Sequence, residues 1–141
     1  MITNAGRTVF LKEMARSLVG IAIGNGGSDP LLGTPVAPSA EATSLKNQIF
    51  FEPRIQFADV IIPSTGIRPR LFIRHTFENT LVPPIGTLIT GIDEVGIFAL
   101  DPSTGQNILA MIKTFDLRTF KVPPSGSPVV RNSITIRWEI F

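Results

Sequence analysis

The chain contains no cysteine and no tyrosine, and only one histidine and one tryptophan. Without cysteine, disulfides cannot hold the fold and a thiolate metal site is excluded. This composition suits folding in a reducing cytoplasm. Charge is scarce too: 17% of residues are Asp, Glu, Lys or Arg, against about 25% in a typical soluble domain. The formal net charge is +2 and the isoelectric point near 9.5. The basic residues behind these values are scattered, with no run of Lys or Arg. A nucleic-acid surface would show a cluster. No apolar run approaches the roughly 20 residues that a membrane-spanning helix needs. The N-terminus carries Arg7 and a helical pattern, but lacks the continuous apolar segment and small-residue cleavage site of a secretion signal. A soluble chain with neither nucleic-acid nor membrane partners is expected.

Hydrophobic residues make up 43% of the 141 positions, and mean hydropathy is +0.28. That length accommodates one domain, 1–141, with a real core, but not two comfortable ones. Low charge with high apolarity fits a surface partly covered by other chains. It fits equally a compact β protein with small polar loops.

Along the chain, Thr3 or Asn4 can cap a helix over about 4–18. Phe10, Met14 and Leu18, with Leu11 alongside, form its apolar face. On this reading Phe10, Leu11 and Met14 dock on a sheet. From Val19 to Gly24 the period changes: Val19, Ile21 and Ile23 alternate with Gly20, Ala22 and Gly24. This predicts a strand with one bulky face and one bare face that lets another backbone approach. A loop of about 25–46 follows, broken by Gly26, Gly27, Pro30, Gly33, Pro35 and Pro38. A loop of this length is often functional or ordered by a partner; it could equally be a cover over one edge of the fold.

The remainder reads as β. Gln48 to Pro63 is apolar and aromatic, interrupted by Pro53. Arg70 to Thr80 alternates, with Leu71, Ile73, His75 and Phe77 on one face. Gly86 to Leu100 is apolar on both faces near its end, as a central strand is. Asp101 to Gly105 is a hairpin turn in which Pro102 presets φ and Gly105 takes the left-handed conformation. Ile108 to Phe120 returns as its partner. Pro123 to Pro128 is a loop. Ser133 to Phe141 closes the chain with Ile134, Ile136, Trp138 and Ile140 inward. The expected fold is mainly β: an antiparallel β-sandwich with one N-terminal α-helix.

Catalytic constellations do not assemble. His75 lies on the apolar side of its strand and reads as a core histidine. No Gly-x-Ser-x-Gly elbow is present, and zinc would have to be held by carboxylates. Asp93 and Glu94 are adjacent, and strand neighbours point to opposite faces, so they form no acid/base pair. The other acids are dispersed. Gly20 to Gly27 looks like a phosphate loop, but it lacks the Lys-Ser/Thr ending and a following helix, so close packing or a turn explains it. Phe50, Phe57, Phe77 and Phe98 alternate as core residues do rather than as a stacking platform for bases. The expectation is no catalytic residue, no metal, no cofactor and no enzyme.

Five motifs occur in a telling order. The chain opens Ile2-Thr-Asn-Ala-Gly-Arg7 and continues with Val19-Gly-Ile-Ala-Ile-Gly-Asn-Gly26. Then come Thr90-Gly-Ile-Asp-Glu-Val-Gly-Ile-Phe-Ala-Leu100 and Asn107-Ile-Leu-Ala-Met111. It ends on Ser133-Ile-Thr-Ile-Arg-Trp-Glu-Ile-Phe141. This order, over both ends and the third quarter of the chain, resembles a group of short bacteriophage structural proteins. Some form the collar that rings the tail tip of long-tailed coliphages and carries side fibres; others are tail-fibre or baseplate components. The resemblance implies an assembly role in a virion made in the bacterial host cytoplasm. It implies copies of the chain and other virion proteins as partners, in a homo-oligomer, and transfers no catalytic residue. Ser28, Leu31, Leu32 and Val36 in the long loop, and Pro123 and Pro124, are the candidate intersubunit contacts. A capsid decoration (cement) protein would share this composition and fold. A carbohydrate-binding module is a more distant alternative, since such sites expose Trp or Tyr and Trp138 falls on the inward pattern.

Overall fold

The computed structural model describes residues 1–62, 68–84, 86–128 and 130–140. Pro63 and Phe141, the expected ends of two strands, lie outside these. Among the described residues a helix, α1 (Asn4–Ser17), leads into seven strands: β1 (Leu18–Gly24), β2 (Gln48–Glu52), β3 (Phe57–Ile61), β4 (Arg70–Glu78), β5 (Ile89–Leu100), β6 (Asn107–Val122) and β7 (Ser133–Ile140). They form a four-stranded sheet in the order β2-β1-β5-β6 and a three-stranded sheet in the order β3-β4-β7. Every pairing is antiparallel. The expected sandwich with one N-terminal helix is the fold observed.

Thr3 caps α1 by accepting the Gly6 N–H at 3.1 Å. The helix buries a different stripe from the one its largest residues suggest. Phe10 and Met14 are 62% and 40% exposed, whereas Leu11 is buried, and Ala15 and Leu18 pack against the core. Both stripes have helical spacing. Connectivity selects between them: Leu18 is at once the helix cap and the first residue of β1, so no linker is left to rotate α1. The helix lies against β3 and β4.

The core lies between the sheets. Ile21, Ile23, Ile92, Val95, Ile97 and Phe120 come from one layer, and Leu71, Ile73, Phe77 and Ile136 from the other. Alternation in β4 is as expected, with Leu71, Ile73, His75 and Phe77 all buried. Two of the four phenylalanines expected in the core lie elsewhere. Phe57 is 39% exposed, with the Arg74 guanidinium 5.6 Å from its ring centre. Phe98 stacks edge-on to Phe51 at 5.3 Å, on the face of β1 and β5 that carries Gly20 and Ala22. The bare face of β1 is therefore filled by a neighbour's ring. The turn after β5 forms as read: the Asp101 carboxylate accepts from Ser103 N–H and hydroxyl, and Gly105 has φ 71°.

The stretch from Gln48 to Ile61 is not one interrupted strand within a sheet. Pro53 to Gln56 carries the chain from the edge of one sheet to the edge of the other. Gln56 fastens this crossover. Its backbone N–H donates to His75 Nδ1 at 3.1 Å, and its side-chain amide both donates to the Thr76 carbonyl and accepts the Thr76 N–H. Because Nδ1 accepts, the neutral ring carries its proton on Nε2, which has no hydrogen-bond partner among the described residues. Protonation would occur at Nδ1 and break the Gln56 bond.

Burial pushes the His75 pKa below its usual 6.5, opposed by the Glu52 carboxylate. The folded state thus resists a proton that the unfolded chain accepts. Its stability is complete above the unfolded value and is lost as pH falls from about 6.5 toward the folded pKa. The thermal midpoint should therefore drop on acidification from pH 7 through pH 6. In His75→Leu that slope should disappear over the same interval; an unchanged slope in the variant would rule out His75 as its source.

Candidate functional site: a leucine finger anchored by buried carboxylates

The loop after β1 contains a small, ordered finger. Val36 N–H donates to the Gly27 carbonyl, Asp29 N–H to Thr34 and Gly33 N–H to Asp29, each at 2.8 Å. Ser28 and Pro35 form a bridge between them. At the tip the Asp29 carboxylate accepts the N–H groups of Leu31 and Leu32 at 2.8 and 3.0 Å. These bonds, that from Leu32 foremost, hold the Asp29 pKa below its usual value. Gly33 closes the turn with φ 69°, a conformation costly for residues with a Cβ. The result displays Leu31 and Leu32, which are 93% and 76% exposed. Leu117 of β6 is also exposed and lies across a groove of about 560 Å3 from Asp29 and Pro30.

The finger's base is held by Asp93 and Glu94, both buried. The Asp93 carboxylate accepts the Gly27 N–H at 2.7 Å. Glu94 Oε1 accepts Gly26 N–H at 3.1 Å and Asn47 N–H at 2.9 Å, and Oε2 accepts Lys46 N–H at 3.2 Å. The two ends of the loop thereby meet on one side chain. Asn25 N–H donates to the Asn47 carbonyl, and the Asn25 and Asn47 side chains are bonded to each other. On the far side the Thr114 hydroxyl of β6 donates to the Val36 carbonyl at 2.7 Å. Gly24 makes room for this anchor, since a Cβ there would collide with Asn47 and the Glu94 carboxylate.

The expectation that Asp93 and Glu94 diverge to opposite faces is not met. In β5 the pairing slips between Ile92, opposite Arg118, and Glu94, opposite Thr114. A bulge at that point breaks strict alternation, and both carboxylates engage the same loop. The glycine stretch that looked like a phosphate loop does present N–H groups to anions, and the anions are the protein's own carboxylates.

Of the candidate contact residues, Leu31 and Leu32 stand at the tip. Ser28 and Val36 stand in the finger's two arms. The Ser28 hydroxyl oxygen is buried without a hydrogen-bond partner among the described residues. Pro123 and Pro124 are half-buried in a separate turn, closed by Ser127 N–H on the Pro124 carbonyl at 3.2 Å. Among the described residues no hydrogen bond joins that turn to the finger. No three His, Cys, Asp or Glu side chains among the described residues gather closely enough to hold a metal.

No protein-family model matches this chain. No curated protein matches it in sequence either.

Proposed function

We propose that this chain is a structural subunit of a bacteriophage virion, of the tail, collar or baseplate, and that it works by assembling with copies of itself and other virion proteins. The observation that carries this reading is the leucine finger. Ordering a backbone costs about 1–2 kcal/mol per residue. Here that cost is met by anchoring a segment whose two largest side chains remain in water. A fold gains nothing internally from presenting Leu31 and Leu32 in this way, whereas a contact with another subunit gains their burial. The low charge and the motif order support the same role. The sandwich is the rigid wall on which the finger stands.

Purified protein should self-associate, and Leu31→Asp with Leu32→Asp should weaken that association at least about 100-fold while leaving the thermal midpoint unchanged. Analytical ultracentrifugation reads the first effect and calorimetry the second. Gold-labelled antibodies on intact particles test location. Label on the head would favour the decoration role, and a monomeric protein absent from particles would end both readings.

A further inference from the structure

One side of the sandwich is left open. On the other side the Pro53–Gln56 crossover joins the two sheets, and α1 packs on β3 and β4. Across from it, β6 and β7 are the free edges of their sheets among the described residues, each with one paired neighbour. A groove of about 500 Å3 lies between them. Its wall on the three-stranded sheet is every residue from Ser133 to Trp138. Successive residues of a strand point to opposite faces, so an unbroken run lines a groove only when the wall is the strand's edge, with its unpaired N–H and C=O groups. One end is closed, where the Asn132 side chain reaches the Thr119 carbonyl at 3.5 Å.

The opposite wall carries cations where a sealed sandwich would be apolar. Lys113 lies opposite Val95 in the pairing of β5 with β6, and Arg118 opposite Ile92. Paired residues share a face, and Val95 and Ile92 belong to the core. Lys113 and Arg118 therefore stand on the inner face of their sheet. Arg137 borders the groove through its backbone, its side chain lying with Arg74 on the outer face of the sheet, and no carboxylate lines the groove among the described residues. Neither Lys113 nor Arg118 is in an ion pair among the described residues; Glu139 of β7 is engaged by Arg70 at 3.6 Å. Between the cations lie Phe115, Ile136 and Trp138.

We infer that this groove accepts an extended, acidic polypeptide segment of a partner protein, which adds as a fourth strand to the free edge of β7. Backbone pairing to β7 supplies affinity. The segment's inward side chains face the opposite wall, where carboxylates meet Lys113 and Arg118 and their stems pack on Phe115 and Trp138, while the alternate side chains fall on the outer face of the sheet. The added strand brings the three-stranded sheet to four and covers the open seam. This goes beyond the assembly role of the finger and does not depend on it, because the groove and the finger share no residue.

The test uses capped, dye-labelled peptides of about eight residues, a typical strand length: one alternating valine and glutamate, one alternating valine and lysine, and the valine–glutamate peptide N-methylated at alternate residues. Anisotropy should show the valine–glutamate peptide binding the full chain at least about tenfold more tightly than the lysine peptide. N-methylation should abolish binding, and the peptide should slow hydrogen exchange along β7. Lys113→Glu with Arg118→Glu should reverse the preference toward the lysine peptide, a gain that a misfolded variant could not produce. Equal affinities, or undiminished binding of the N-methylated peptide, would overturn the inference. So would β7 amides already protected in a concentration-dependent way in the free protein, because a second copy would then fill the groove.

Discussion

Replacing Glu94 by alanine should destabilise the protein by about 3 kcal/mol, since three backbone donors lose a buried acceptor. The side chain is 1% exposed. It accepts from Gly26, Asn47 and Lys46, so its loss strands N–H groups on both ends of the loop. Each stranded donor costs about 1–3 kcal/mol when buried, and entry of water at the loop base keeps the total near the low end. Glu94→Gln keeps an oxygen for Gly26 and Asn47 but points an NH2 group at Lys46 N–H, so a smaller loss of about 1 kcal/mol is expected. Urea unfolding gives both values. Limited proteolysis gives an independent reading, because the finger should become cleavable in Glu94→Ala before the sandwich unfolds. A loss below about 1 kcal/mol in the alanine variant would show that the anchor is dispensable.

Asn79→Ala should cost about 2–3 kcal/mol, for the same reason at a second buried side chain. Asn79 follows β4 and is 2% exposed. Its NH2 group donates to the carbonyls of Lys121 and Val130, both at 2.7 Å. Its side-chain oxygen accepts Asn132 N–H at 2.9 Å, and its own backbone N–H donates to the Asn132 carbonyl at 3.0 Å. One amide thus ties together the end of β6, the segment entering β7 and the end of β4. Aspartate supplies the acceptor but neither donor, so Asn79→Asp should be about as harmful as alanine. If Asn79→Asp retained wild-type stability, the two donated bonds would carry no weight.

Local pattern carried much of this fold. The Thr3 cap, the bare face of β1, the burial of His75 and the turn at Asp101 to Gly105 each follow from residues within a few positions of one another. What escaped reading depends on distant partners. Nothing near Phe10 or Leu11 says which of two overlapping stripes turns inward; that follows from where β1 must go. Pro53 announces a break, but not that the chain changes sheets there. The burial of Asp93 and Glu94 follows from a slip of pairing against β6, which a period-two reading of β5 alone excludes. Neither carboxylate was therefore connected with the loop. The finger did leave a local trace, in Asp29 four residues ahead of Gly33, a spacing suited to a side-chain-capped turn. The candidate contacts Leu31 and Leu32 were legible as apolar residues in a long loop, but the anchor that holds them was not.

The distances along the chain that Glu94 spans also set an order of events. Its bonds reach back 68 residues to Gly26 and 47 to Asn47. Contacts this remote carry the closure entropy of the chain between them. On a growing chain, Leu31 and Leu32 emerge well before the carboxylate that will position them. Until β5 has been made and paired with β1, the finger's own turn has no fixed seat on the sandwich. The anchor therefore makes the finger's placement contingent on the pairing of β1 with β5.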